Sequence, residues 1–564
     1  MKDDQNVSAE QTLQRLVDES FASRLWNRDA TLWPEPSPDG DPASKTLGWL
    51  DLPMRLSMLA EQFADLNSQL LRDGLTDVVV LGMGGSSMTP LTLSSILGTS
   101  DSPPTDRPAI RLHALDTVNP TTVSQITTEL DLSKTLFFVS SKSGTTVEPL
   151  TLEAHFRAAM ADTVESSMNR KNFVALTDPG TSLAERARAG EFGTWISTPD
   201  DVGGRFSALS AFGMMPAAAT GMNLRAFAES AARMSQQCQV DSKENPGLTL
   251  GAFLASNALA GRNKVTLITS DEYSRFGMWV DQLLAESTGK NGKGLIPITG
   301  EPDLTLDDFA PDRQFVVYKS EGDEKRIDHA ISALRESDHP VFVIEPPTPE
   351  KHEIAGEFFR WQFATVAASS LMDIYPFDQP DVESAKVKSL EFLSNPKTWI
   401  KDIPLSIALE QIAGESAPRY VAVTAFLPES DELTAAFSML RKAISEKTGM
   451  ATTFGYGPRY LHSTGQLYKG GPQNAIVLGF VSAKYDHLAV PGESYTFGQL
   501  TEAQAGGDFA VMAEGGQTVL PIKIEGDLVE ELKTAVRALN KNYTRQPYLN
   551  EQNGNPTIRR PSND

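Results

Sequence analysis

The sequence predicts an α/β protein built on doubly wound parallel sheets, and two observations lead there. Short apolar runs, Val78-Val79-Val80-Leu81, Leu136-Phe137-Phe138-Val139 and Phe173-Val174-Ala175-Leu176, are separated by stretches of helical period. That alternation is the signature of buried parallel strands joined by crossover helices. Two of the runs also lead straight into polar, turn-forming loops, Gly82-Met83-Gly84-Gly85-Ser86-Ser87 and Ser140-Ser141-Lys142-Ser143-Gly144-Thr145-Thr146. Loops between a strand end and a helix start are where open α/β sheets bind ligands.

Taken in order, residues 1–10 are polar and expected to fray. Leu13, Leu16, Val17 and Phe21 have helical spacing, and Trp33 to Ser44, rich in Pro, Asp and Gly, reads as a loop. Leu56, Leu59, Phe63, Leu66 and Leu70 predict one amphipathic helix ended by Gly74. Thr194–Thr198 reads as an edge strand. A second α/β unit is expected from about Leu248, with strands at Lys264–Thr269, Phe315–Tyr318 and Val341–Ile344 and a buried helix from Ile354 to Leu371. A third begins near Pro396. Its expected strands are Tyr420–Ala425, Ala451–Gly457, Ala475–Phe480 and Thr518–Ile524, and its expected helices are Leu433–Ile444 and Leu528–Leu539. The domain expectation is an N-terminal helix and loop at 1–45, α/β domains at 46–245, 246–395 and 396–543, and a disordered tail at 544–564.

Composition narrows the function. A chain of 564 residues exceeds one core, and length alone suggests roughly three or four domains. The net charge of −23 argues against nucleic acid and anionic membranes as partners, while a local cationic pocket for a small anion remains compatible with it. A single cysteine, Cys238, forbids intrachain disulfides. With no apolar run of about 20 residues and no signal core, the expected location is cytoplasmic.

The hydroxyl-rich loop carries the most chemistry. Ser141, Lys142, Ser143 and Thr146 precede a helix whose first N–H groups lack intrahelical partners and carry partial positive charge, so the loop reads as a phosphate cradle or, more plainly, as a capped surface loop. The glycine loop Gly82–Ser87 fails the dinucleotide fingerprint, since Ser87 stands at the third glycine position. Gly84, Gly85 and Ser86 still allow close backbone approach to a sugar. Gly203-Gly204-Arg205-Phe206-Ser207 aims one permanent cation from a sharp turn. Trp279, Gln282, Leu283 and Glu286 share a helical period and end at Ser287-Thr288-Gly289-Lys290, which puts Glu286 at a helix C-terminus. The helix dipole disfavours a carboxylate there and raises its pKa toward that of a useful base. Asp378-Gln379-Pro380-Asp381 opens a helix carrying Lys386. His462 heads the polar run Ser463-Thr464-Gly465-Gln466 in the last unit.

These motifs, in this order, resemble the glucose-6-phosphate isomerase family over roughly residues 45–390. The part from 418 on is similar to the isomerase half of bacterial transaldolase–isomerase fusions. The resemblance implies two sugar-isomerase (SIS-type) doubly wound domains plus a third C-terminal α/β domain. It implies aldose–ketose isomerisation of glucose 6-phosphate and fructose 6-phosphate through a cis-enediol, with no metal or organic cofactor and a homodimeric assembly. It assigns the phosphate to Ser141, Lys142, Ser143 and Thr146, enediolate stabilisation to Arg205, the base to Glu286, and the sugar pocket to Gln379 and Lys386. The family's ring-opening histidine lies in a Gly-Gln-His stretch that this chain lacks, and His462 is the histidine in a comparable polar setting. Gly144 stands where a bulky residue is common, and Pro380-Asp381 where Trp-Gly is usual. Two alternatives remain open: an isomerase of mannose- or amino-sugar phosphates, and a non-catalytic sugar-phosphate-binding module, which has no need of a base.

Overall fold

The computed structural model describes residues 8–542 apart from 39, 97–108, 162–165, 303, 321–323 and 396–400. The tail at 544–564, residues 1–7 and the start of the third unit at Pro396 lie outside the described residues. Three parallel sheets organise the chain. The first has the order β2-β1-β3-β4-β5, from β1 (Asp77–Gly82), β2 (Arg111–Leu115), β3 (Thr135–Ser140), β4 (Phe173–Thr177) and β5 (Thr194–Ser197). The second has the order β7-β6-β8-β9, from β6 (Lys264–Ile268), β7 (Ile296–Ile298), β8 (Arg313–Tyr318) and β9 (Val341–Ile344). The third has the order β11-β10-β12-β13, from β10 (Tyr420–Phe426), β11 (Ala451–Tyr456), β12 (Ala475–Ser482) and β13 (Thr518–Ile524). In each sheet the strand order reverses beside the first strand, which opens a crevice at the carboxyl ends. In the first sheet this crevice lies between the loops after β1 and β3. Gly82 pairs with Ser140 at its floor.

The continuous apolar runs became central strands because they are buried on both faces; β1 and β3 are buried throughout. The edge strands β2 and β7 have weaker signals and were not expected. In β2, Arg111 and His113 turn toward buried Asp77, each bonding it at 2.8 Å, so its pattern is polar. β7 is three residues long and contains Pro297, which an edge position tolerates.

Two expected helices divide. The first pattern forms Ala9–Asp18 and Phe21–Trp26, broken at Ser20, which is left-handed at φ 53°. Its start is ordered by a capping box between Ser8 and Gln11, so fraying does not extend through residue 10. The long amphipathic pattern becomes Leu52–Gln62 and Leu66–Arg72. Leu56 belongs to the core under the second sheet's helices and Leu70 to the core under the first sheet, with Phe63 and Leu66 touching both. One straight helix cannot reach two cores. Pro380 lies near the first turn of the helix Val382–Ser394, two residues before its start. The helix Ile354–Leu371 has the expected bounds, and Trp361 is fully buried on it.

The third sheet is fastened to the other two near the crevice. Helix Phe497–Glu514 packs on helix Val382–Ser394 through Gly506 and Gly507, where a Cβ would come within 2.8 Å of Phe392 and 2.5 Å of Ser389. Arg459 forms 2.8 Å ion pairs with Asp116 of the first unit and with Glu429. Leu467 and Tyr468 share a core with Ala285, Ile296 and Ile298 of the second. No helix among the described residues is long and apolar enough to cross a membrane.

Candidate active site

Three loops and two helix ends meet at the carboxyl edge of the first sheet. The hydroxyl loop occupies Ser141–Thr146, and helix Val147–Ala161 starts directly after it, presenting its first-turn N–H groups. Ser141 Oγ lies 2.9 Å from Thr146 Oγ1, and Ser143 Oγ lies 3.0 Å from Thr145 Oγ1. The Lys142 ammonium is ion-paired with Asp178. Gly144 is left-handed at φ +69°, and a Cβ there would lie 2.7 Å from Thr181. Thr181 thus fills the space a bulkier residue would need, and only glycine adopts the turn freely.

The glycine loop serves close packing. A Cβ on Gly85 would sit 1.9 Å from the Gly204 carbonyl oxygen, and one on Gly84 2.8 Å from the His462 carbonyl oxygen and 2.9 Å from Gln282 Nε2. These two glycines let the first strand's loop, the arginine turn and the histidine loop converge. Ser86 is buried in the first turn of helix Gly85–Ile96.

Glu286 stands in the last turn of helix Ser274–Thr288, only 6% exposed. Arg205, on the turn Gly204–Phe206, is 4% exposed. Its Nη1 lies 3.5 Å from Glu286 Oε2, its Nε donates to Ser287 Oγ at 3.0 Å, and its Nη2 donates to the carbonyls of Pro376 at 2.5 Å and Asp378 at 3.0 Å. Three good bonds therefore hold the guanidinium, and its contact with Glu286 is longer and chiefly electrostatic. Gln282, one turn earlier, donates to Glu286 Oε2 at 3.3 Å and to the His462 carbonyl at 3.0 Å. Both partners of the carboxylate sit on Oε2; among the described residues no hydrogen bond reaches Oε1. Burial pushes the Glu286 pKa up, against the opposing charges of Arg205, His462 and Lys290.

His462 arrives from the third sheet, on the turn Arg459–His462 after β11. Its Nε2 lies 3.0 Å from Glu148 Oε1, and Gln504 donates to the same oxygen at 2.7 Å. Burial works against a charged ring, but the Glu148 carboxylate, with Glu286 behind it, outweighs that and raises the His462 pKa. Burial likewise opposes a charged Glu148, yet His462 and Gln504 hold its pKa low.

The signs fix a pH dependence. A histidine raised on folding stabilises fully below its unfolded value, about 6.5, and loses that as pH climbs through the folded value. A carboxyl lowered on folding contributes above its unfolded value and loses that as pH falls through the folded one. The pair is therefore strongest between roughly pH 4.5 and 6.5. We expect His462→Ala to cost roughly 1–3 kcal/mol at pH 6, the scale of a charge-assisted hydrogen bond. As pH climbs through the raised His462 value the parent loses the charge too, so the gap should be smaller at pH 9 than at pH 6. Urea unfolding of both proteins at the two pH values checks this; an equal gap at both would mean that the pair carries no charge.

The structure thus brings together Arg205, Glu286, His462, Gly84 and Gly85, with the loop Ser141–Thr146 on the same sheet edge. Two sequence candidates stand apart. Lys386 is exposed on helix Val382–Ser394 and pairs with Glu383 at 2.9 Å, though its charge is felt at His462. Gln379 is exposed in the turn before that helix. Glu148, Gln282, Lys290 and Gln504 are the residues that sequence reasoning did not place here. For Gln282 a signal existed in its spacing of four from Glu286. For Gln504, inside a long apolar helix, there was none.

The phosphoglucose isomerase family profile matches residues 68–296, a span holding the glycine loop, the hydroxyl loop, Arg205 and Glu286. The chain is 33% identical over 258 residues to a glucose-6-phosphate isomerase of Rubrobacter xylanophilus, an alignment covering 44% of this chain and 58% of that protein. It is 27% identical over 390 residues to a probable glucose-6-phosphate isomerase of Methanococcus maripaludis, covering 62% and 85%. Over the profile's span the chain resembles the phosphoglucose isomerase family. Solved structures share its fold. A Thermus thermophilus protein superposes with a TM-score of 0.57 at 24% identity, over 68% of this chain and 97% of that one. A glucose-6-phosphate isomerase from Chlamydia trachomatis superposes at 0.50 and 18%, over 70% and 80%. The family profile ends before Asp378, Lys386 and His462.

Proposed function

We propose that this chain is a cytoplasmic glucose-6-phosphate isomerase interconverting glucose 6-phosphate and fructose 6-phosphate. The observation that carries the reading is the buried Glu286 carboxylate. One oxygen faces Arg205 and Gln282, the other has no hydrogen-bond partner among the described residues, and His462, its pKa raised, lies within electrostatic reach. Such a group suits proton transfer between neighbouring carbons. In this reading the phosphate docks on Ser141, Lys142, Ser143 and Thr146 and orients the reacting carbons. The His462 imidazolium, held by Glu148, protonates the ring oxygen as the pyranose opens. Glu286 then takes the C2 proton and returns it to C1. Arg205 offsets the charge that builds on the oxygens meanwhile. Gly84, Gly85 and Ser86 border the sugar. The domain division at 46–245, 246–395 and 396–543, and a homodimeric assembly, belong to the same reading.

A coupled assay with both sugar phosphates, run with and without chelator, tests the function. Turnover in both directions, unaffected by chelator, is the expected result; exclusive turnover of a mannose or amino-sugar phosphate would replace the substrate. The phosphate assignment has its own test. Ser141→Ala with Thr146→Ala removes two hydroxyls, each worth roughly 1.5–3 kcal/mol if bonded to a buried dianion. KM should rise at least about tenfold with the fold intact. An unchanged KM would leave the loop as a helix cap.

A further inference from the structure

Two buried cations, not one, flank Glu286. Lys290 follows it by four residues, beyond the turn at Gly289, and its side chain is 4% exposed. The ammonium donates to the Tyr375 carbonyl at 2.7 Å and to Asp378 Oδ1 at 2.8 Å. Asp378 Oδ2 accepts the Ser37 N–H at 2.7 Å. The segment Tyr375–Asp378 is therefore gripped from two sides. Lysine takes one carbonyl and the carboxylate, while Arg205 takes the carbonyls of Pro376 and Asp378. Arg205 thus sits between two carboxylates, those of Glu286 and Asp378, and both attract it. Of the two, only Glu286 lies within ion-pair distance, at 3.5 Å, while the Asp378 carboxylate is held by Lys290 and the Ser37 N–H. Were Asp378 left without its lysine, a buried unpaired carboxylate would draw the guanidinium to itself, because an uncompensated buried charge is far costlier than a stretched pair.

We propose that Lys290 is a positioning residue for the isomerase reaction: by occupying the Asp378 carboxylate it leaves Arg205 facing Glu286. This rests on the reading of Glu286 as the base. Burial, together with repulsion from Arg205, holds the lysine pKa down to about 7 against Asp378 and Glu286, which is consistent with two cations sharing one small enclosure.

The test is Lys290→Met, alone and with Asp378→Asn. The single variant should lose roughly 10- to 100-fold in kcat, less than the ~10²–10³ that outright loss of a stabilising donor costs. Its KM should stay within about twofold, since phosphate binding is remote. Adding Asp378→Asn removes the competing carboxylate, so the double variant should recover to within about tenfold of the parent kcat. A crystal structure of Lys290→Met should show the guanidinium moved onto Asp378. An unchanged kcat, a loss confined to KM, a folded double variant with no recovery, or an unmoved guanidinium would each overturn the proposal. If the single variant does not fold, the double variant, which buries no lone charge, still decides: a kcat as low as that of Arg205→Met would be fatal. If the parent isomerises no sugar phosphate, the functional reading fails, and the position of the guanidinium still answers for Lys290.

Discussion

Glu286→Gln is expected to lower kcat by about 10²–10⁴ while leaving KM near the parent value, because a positioned acid–base group contributes on that scale and acts only in the transition state. Glutamine keeps the size of the side chain and its bonds on the helix end but accepts no proton. Exchange of the C2 hydrogen with solvent deuterium should vanish together with isomerisation, since both begin with the same abstraction. The measurement is proton NMR of the sugar phosphate in deuterated buffer beside a coupled rate assay. A folded Glu286→Gln protein that exchanged C2 at the parent rate would move the base elsewhere, with Glu148 a buried carboxylate on the same sheet edge.

Arg205→Met carries the second large effect, a kcat loss of about 10²–10³, the cost of removing one preorganised group aimed at developing charge. It has a signature that Glu286→Gln lacks. Burial already raises the Glu286 pKa, and Arg205 is the first influence opposing it. Without that cation the carboxyl rises further, so its ionised form appears only at higher pH. The acid limb of the pH–rate profile should therefore shift upward, which a profile of kcat/KM reads directly. Arg205→Lys should recover only part of the rate, since a single ammonium cannot span Ser287 Oγ and the carbonyls of Pro376 and Asp378 together. A profile unchanged in shape would separate Arg205 from the base.

The parts of the site that were legible in the sequence are contiguous and local. The Ser141–Thr146 loop announced itself because an apolar run buried on both faces ends abruptly in hydroxyls before a helical pattern. Glu286 was legible because Trp279, Gln282 and Leu283 set a helical phase that ends in Gly289. Neither argument needs a distant residue. Edge strands were less legible: β2 spends its polar side chains on Asp77, so it offers no apolar run. The break between Gln62 and Leu66 was hidden because the apolar spacing continues across it while the cores it serves change.

The sequence by itself determined the α/β class, the central strands, the loops at their carboxyl ends, and the order of a candidate base, an arginine and a hydroxyl loop along the chain. These follow from periodicity and from the short-range chemistry of strand ends and helix ends, which act over a few residues. Only the tertiary structure decided which distant groups complete the site. That the His462 pKa is raised depends on Glu148, 314 residues away, whose bonded oxygen Gln504 also reaches. That Arg205 faces Glu286 depends on a loop 171 residues on, gripped by Lys290. No local pattern encodes these pairs. They arise where three sheets dock, and a buried charge takes whatever partner that docking brings within reach.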